Sequence, residues 1–134
     1  KSDRLKTQES SGFTPLTTRL TSTSFDGDSF STTAKTKIDL SAVFGVPAGV
    51  KAITLQITAK DSGSSSGYSR FGVAPNDTAD SYAVEVYLEG QSNDDFRIET
   101  GICPCDANGD IYYQCVATGT GTLDVYIRIW GYWK

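Results

Sequence analysis

The side chains best equipped for chemistry gather near the end of the chain, where Asp124, Tyr126, Arg128, Trp130 and Tyr132 hold every second position of residues 122–133. Alternation places them on one face of a strand and Leu123, Val125, Ile127 and Ile129 on the other. The apolar row is a core row. A row that interleaves rings with a carboxylate and a guanidinium suits a partner. Sugars stack their C–H faces on Tyr and Trp while their hydroxyls bond to Asp, Arg and Gln. The same residue types also crowd the centres of subunit interfaces. A third option is burial beneath the N-terminal arm of the same chain. Tyr112 and Gln114 join this surface if the last hairpin pairs in sequence, and Tyr87 is a further candidate.

The other chemistry-bearing groups are sparser. Cys103, Cys105 and Cys115 are three thiols in a chain without His, one ligand short of a tetrahedral metal set. A three-residue tip at Asn108–Asp110 sets Cys103 opposite Cys115 across a hairpin, within reach of a disulfide, whereas a two-residue turn sets Gln114 there. Disulfide and free thiols both stay open, and no metal site is expected. Asp106-Ala107-Asn108-Gly109-Asp110 reads as a tight turn, because Gly109 is fourth and no Glu follows at the twelfth position of a calcium loop. The acidic residues Glu85, Glu89, Asp94, Asp95 and Glu99 could pair as a glycosidase needs. Outward carboxylates are also what a soluble protein with a net charge of -4 carries. Without His there is no catalytic triad. The expectation is a chain that is not an enzyme and needs no cofactor.

These groups need a scaffold, and the patterning describes one. With 134 residues, 38% hydrophobic and 21% charged, the chain can close a core of its own. Residues 1–12 read as a flexible arm or linker and residues 13–134 as one β domain. Val50–Lys60 alternates with Ile53, Leu55, Ile57 and Ala59 inward. Tyr82, Val84, Val86 and Leu88 form a second inward row, and Phe96, Ile98 and Ile102 a third. Ser41–Phe44 before Gly45 is the one helical turn expected. About eight short strands separated by Gly, Ser and Asn turns predict an all-β fold, an antiparallel two-sheet sandwich of jelly-roll kind. A partly closed barrel is the alternative. The acidic balance argues against nucleic acid, and no apolar run reaches the roughly 20 residues of a membrane helix. No secretory signal is evident, and the absence of Met leads to the expectation of a processed product or fragment.

The segment Thr33–Ala52, and above all its corner Phe44-Gly45-Val46-Pro47-Ala48-Gly49, resembles a module found in bacteriophage virion proteins, in tail fibres, tail spikes and related appendages. The resemblance runs on into the strand and the Asp61-Ser62-Gly63-Ser64 loop, about the middle third of the chain. It implies a virion location on the particle surface, a homo-oligomer with a trimer favoured, contact with other virion proteins, and a host surface polysaccharide as ligand. The function it implies is a receptor-binding domain of a tail fibre or spike. The alternative is a structural virion protein, a capsid decoration or trimerising cap without ligand, and a glycan-cleaving enzyme comes third.

Overall fold

The period-two patterning is realised as nine strands in a computed structural model that describes residues 12–61, 68–89, 94–117 and 122–134. The expected arm falls almost wholly, and the Ser62–Gly67 loop and the Gly90 turn in the main, outside the described residues. The strands are β1 (Phe13–Leu20), β2 (Asp26–Phe30), β3 (Thr36–Ile38), β4 (Ala52–Asp61), β5 (Tyr68–Ala74), β6 (Val84–Glu89), β7 (Phe96–Pro104), β8 (Ile111–Val116) and β9 (Leu123–Trp133). A 3-10 turn, Thr23–Phe25, separates β1 from β2, and one short helix, α1 (Leu40–Phe44), follows β3.

The strands form two antiparallel sheets, β1/β2-β9-β4-β7 and β3-β8-β5-β6. β1 and β2 lie end to end along one edge of β9 and together take the place of one strand. From β3 onward the chain changes sheet at every connection except the β5–β6 hairpin. This is the eight-position jelly roll, a double Greek key, and the open two-sheet order excludes the barrel.

The core lies between the sheets. Ile53, Leu55, Ile57 and Ala59 of β4 and Leu123, Val125, Ile127 and Ile129 of β9 face Phe71, Val73, Val86, Leu88, Ile111 and Cys115. Phe25, Phe30, Phe44, Phe71 and Tyr113 close one end, with successive ring centroids 5.1 to 6.1 Å apart. Asp39 caps α1 by accepting the Ala42 amide at 3.2 Å, and Gly45 ends it at φ 76°. Buried Asp110 accepts the Leu40 amide at 3.1 Å, which ties the β7–β8 turn to α1. The Phe44–Gly49 corner is therefore the exit of α1, with Phe44, Val46 and Val50 anchored in the core.

Three expectations about facing need correction. Tyr132 does not continue the outer row. β9 carries an extra residue at Trp130, since Leu55 pairs with Ile129 while Thr54 pairs with Gly131. That bulge flips the alternation, so Tyr132 lies opposite buried Ile53 and packs on the core. Phe96, Ile98 and Ile102 face outward, opposite the outer-face residues Lys60, Thr58 and Thr54 of β4. Gly101 and Cys103 take the inner side of β7, because Val84 sits where a Gly101 side chain would project. Tyr82 precedes β6 and folds over the outside of its sheet.

Candidate functional site

The predicted residues divide between the two outer faces of the sandwich. Asp124, Tyr126, Arg128 and Trp130 stay together on the β1/β2-β9-β4-β7 sheet. Tyr112, Gln114 and Tyr87 lie on the opposite sheet, because β8 pairs with β3 and β5 and makes no hairpin with β9. The jelly-roll crossover overrides the sequential pairing on which their grouping depended.

The β9 row is largely engaged within its own chain. Asp124 lies 3.8 Å from the Lys60 ammonium and accepts the Ser29 hydroxyl at 3.1 Å. Tyr126 covers Gly27, which stands at φ 96° and has no space for a side chain beneath the ring. The Arg128 guanidinium stacks 5.6 Å from the Tyr126 centroid and donates to the Thr58 hydroxyl at 3.3 Å. Satisfied pairs of this kind fix side chains in place more than they recruit ligands.

Trp130 differs. It is 40% exposed and, with Thr17, Thr18, Arg19 and Thr21, lines an open groove of about 450 Å³. Two irregularities at the same level of the ladder open it. Between the pairs Pro15–Gly131 and Leu20–Ile129, β1 spends four residues where β9 spends one. Among the described residues, Arg19 has no charged partner. Beyond the bulge, Trp133 packs against Phe13 at 4.4 Å between centroids, and the Phe13 ring lies over Gly131. Part of the last strand is thus covered by the chain's own N-terminal strand. Thr17, Thr18, Arg19 and Thr21 stood out in the sequence by no signal of their own, since a large bulge carries no residue signature.

The same sheet ends at β7, where Phe96, Ile98 and Ile102 are 58%, 57% and 55% exposed. The Lys60 ammonium stands 5.7 Å from the Phe96 centroid.

On the opposite sheet, Tyr82 is the organising ring. Its hydroxyl donates to Gln114 Oε1 at 2.7 Å. Lys35 and Arg70 flank it at 4.9 and 5.1 Å from the centroid. Lys35 also donates to the carbonyls of Ser81 at 2.8 Å and Asn76 at 3.1 Å, and burial lowers its pKa. Arg70 pairs with Asp80 and, at 3.7 Å, with Glu85. The Lys37 ammonium stands 5.9 Å from the Tyr112 ring.

Cys103 and Cys115 belong to different sheets and are free thiols, as is Cys105, so the disulfide is not formed. The sequence geometry required β7 and β8 to pair, and they do not. Burial pushes all three thiols up to about 12. Among the described residues no cluster of His, Cys, Asp or Glu is arranged to hold a metal. The 106–110 segment is a turn in which the Asp106 carboxylate accepts the amides of Asn108 and Asp110 at 2.9 and 3.0 Å.

No protein-family model matches the chain, and no curated protein matches it. Among solved structures the chain is similar to the Tobacco streak virus coat protein, at 10% identity over 92% of this chain and 87% of that one, with a TM-score of 0.47. It is similar to the PRD1 vertex protein P5 at 15% identity over 87% and 99%, with a TM-score of 0.42. A Podospora anserina GH26-CBM35 β-(1,4)-mannanase gives 16% identity over 90% of this chain and 28% of that chain, with a TM-score of 0.42. Values of this size assign the chain to no family.

Proposed function

We propose that the chain is a structural component of a virion, a jelly-roll subunit that packs against further copies of itself through the outer face of the β1/β2-β9-β4-β7 sheet. The observation that carries this reading is β7, which holds three large apolar side chains more than half exposed on one face. Apolar surface gains about 25 cal/mol for each Å² removed from water, so a row of this kind belongs under a partner. The resemblance of Thr33–Ala52 to a phage appendage module supplies the setting, and jelly rolls serve as capsid domains as well as lectins. The reading assigns no catalysis: Glu85 is engaged by Arg70 and Asp94 by Lys60, at 3.7 and 3.8 Å. Sedimentation equilibrium over a wide concentration range tests it and also counts the copies, a trimer being what the resemblance implies. Association is expected, and Ile98→Asp should abolish it with the far-ultraviolet circular dichroism unchanged. A wild-type chain that stays monomeric throughout overturns the proposal.

A second reading, a receptor-binding domain of a tail fibre or spike that contacts host glycan, rests on the groove around Trp130. A half-exposed indole beside three threonines and Arg19, which has no charged partner among the described residues, offers one stacking face and several hydrogen-bond donors, a fit for a saccharide that carries a carboxylate. Titration with host polysaccharide should change tryptophan emission in the wild type and leave it unchanged in Trp130→Phe, where Trp133 still reports. Equal responses from both proteins would eliminate the groove as the site.

A further inference from the structure

The four sheet edges are not equivalent. An edge strand offers unpaired backbone groups to any passing strand, and proteins blunt it by shortness, interruption, proline or charge. β3 has three residues. The β1/β2 edge is broken by a 3-10 turn, a large bulge and Pro15. β6 turns the acidic residues Glu85 and Glu89 outward. β7 alone among the described edges is long, at nine residues, and apolar on its outer face. Its one proline, Pro104, stands at the far end.

We infer that β7 pairs antiparallel with β7 of a second copy, with Ile98 at the two-fold axis, and so continues one sheet across two molecules. This rests on the assembly reading above and specifies its geometry, a two-fold dimer in place of the trimer that the resemblance implies. Charge selects both the partner and the register. Arg97 and Glu99 flank Ile98 on the inner side of β7, at an exposed end of the sheet, and neither enters an ion pair among the described residues. Centred on Ile98, each Arg97 lies opposite Glu99 of the second copy, twice by symmetry. Pleating restricts the register to steps that keep outer residues opposite outer residues. The two neighbouring registers place Arg97 on Arg97 or Glu99 on Glu99, and like charges directly opposite are unfavourable. On the outer face the chosen register sets Ile98 on Ile98 and Phe96 on Thr100, which covers two of the three apolar side chains without burying a charge, and Ile102 lies beyond the paired residues 96–100. Pro104 lies beyond the paired stretch, where its missing N–H is not needed.

A charge-swap cycle with a cross-link tests the geometry. Arg97→Glu should weaken association about tenfold by replacing two attractive cross-strand pairs with two repulsive ones. The double variant Arg97→Glu/Glu99→Arg should restore it. In a Cys105→Ser background, Ile98→Cys should give a covalent dimer under mild oxidation, and Thr100→Cys should not. If Arg97→Glu associates as well as wild type, or if Ile98→Cys fails to cross-link while the chain still associates, this pairing is wrong and the assembly reading survives. A wild type that never associates overturns both.

Discussion

Gly72 provides a sharp test of how the outer face of the β3-β8-β5-β6 sheet is built. A β-carbon there would lie 2.4 Å from Tyr82 Cδ1 and 2.7 Å from Cγ, distances that no side chain tolerates. The ring cannot simply tilt, because its hydroxyl is held by Gln114 at 2.7 Å and its faces by Lys35 and Arg70. Gly72→Ala must therefore displace Tyr82. The loss comprises one hydrogen bond of about 1 kcal/mol and two cation–π contacts of about 0.5–1 kcal/mol each. Against this stands a gain of about 0.5–1 kcal/mol from removing a glycine within a strand. The net destabilisation is about 1–2.5 kcal/mol, a fall in melting temperature of roughly 4–9 °C for a domain of this size. A double-mutant cycle isolates the cause. In a Tyr82→Ala background the same Gly72→Ala change should be neutral or stabilising, giving a coupling of about 2 kcal/mol in urea denaturation. Equal costs in both backgrounds would show that Tyr82 is not what Gly72 accommodates, and the description of this face would fail.

Other perturbations follow from single contacts. Asp110→Ala removes the carboxylate that accepts the Leu40 amide and leaves that buried donor without its partner, so stability should fall by about 1–3 kcal/mol in chemical denaturation. The Asp39 carboxyl is held below its usual value by the Ser41 hydroxyl first and the Ala42 amide second. Its contribution is present above the unfolded carboxylate pKa and lost as pH falls through the lower folded one, so the Ala42 amide resonance should titrate below the ordinary Asp range. With their pKa values near 12, the three thiols should react with a disulfide reagent at pH 8 only on unfolding, and added reductant should leave the melting temperature unchanged. Gly109→Ala forces a side chain onto a φ of 82° and to 2.6 Å from the Gly49 amide, and should destabilise by roughly 2 kcal/mol in the same denaturation assay.

Alternation by itself determined the all-β class and the inward rows of β4 and β9, because a half-buried strand must repeat its apolar residues every second position; only the strand order separated a two-sheet sandwich from a barrel. Gly45 marked the end of α1 for an equally local reason, a left-handed φ that glycine adopts freely. Beyond such local rules, strand order decided the outcome. Period-two patterning says that a strand has two faces and not which neighbour it meets, so Tyr112 and Gln114 were grouped with Asp124 until the crossover of β8 put them on the other side of the sandwich. The same limit undid the Cys103–Cys115 bridge. On β7 two rows compete for the core. The apolar row lost, because the close approach of Val84 and the edge position favour Gly101 and Cys103 inside, which leaves Phe96, Ile98 and Ile102 in the open. One extra residue in β9 did the rest: the bulge at Trp130 turned Tyr132 inward and opened the groove, an effect of pairing between strands that neither strand's sequence contains.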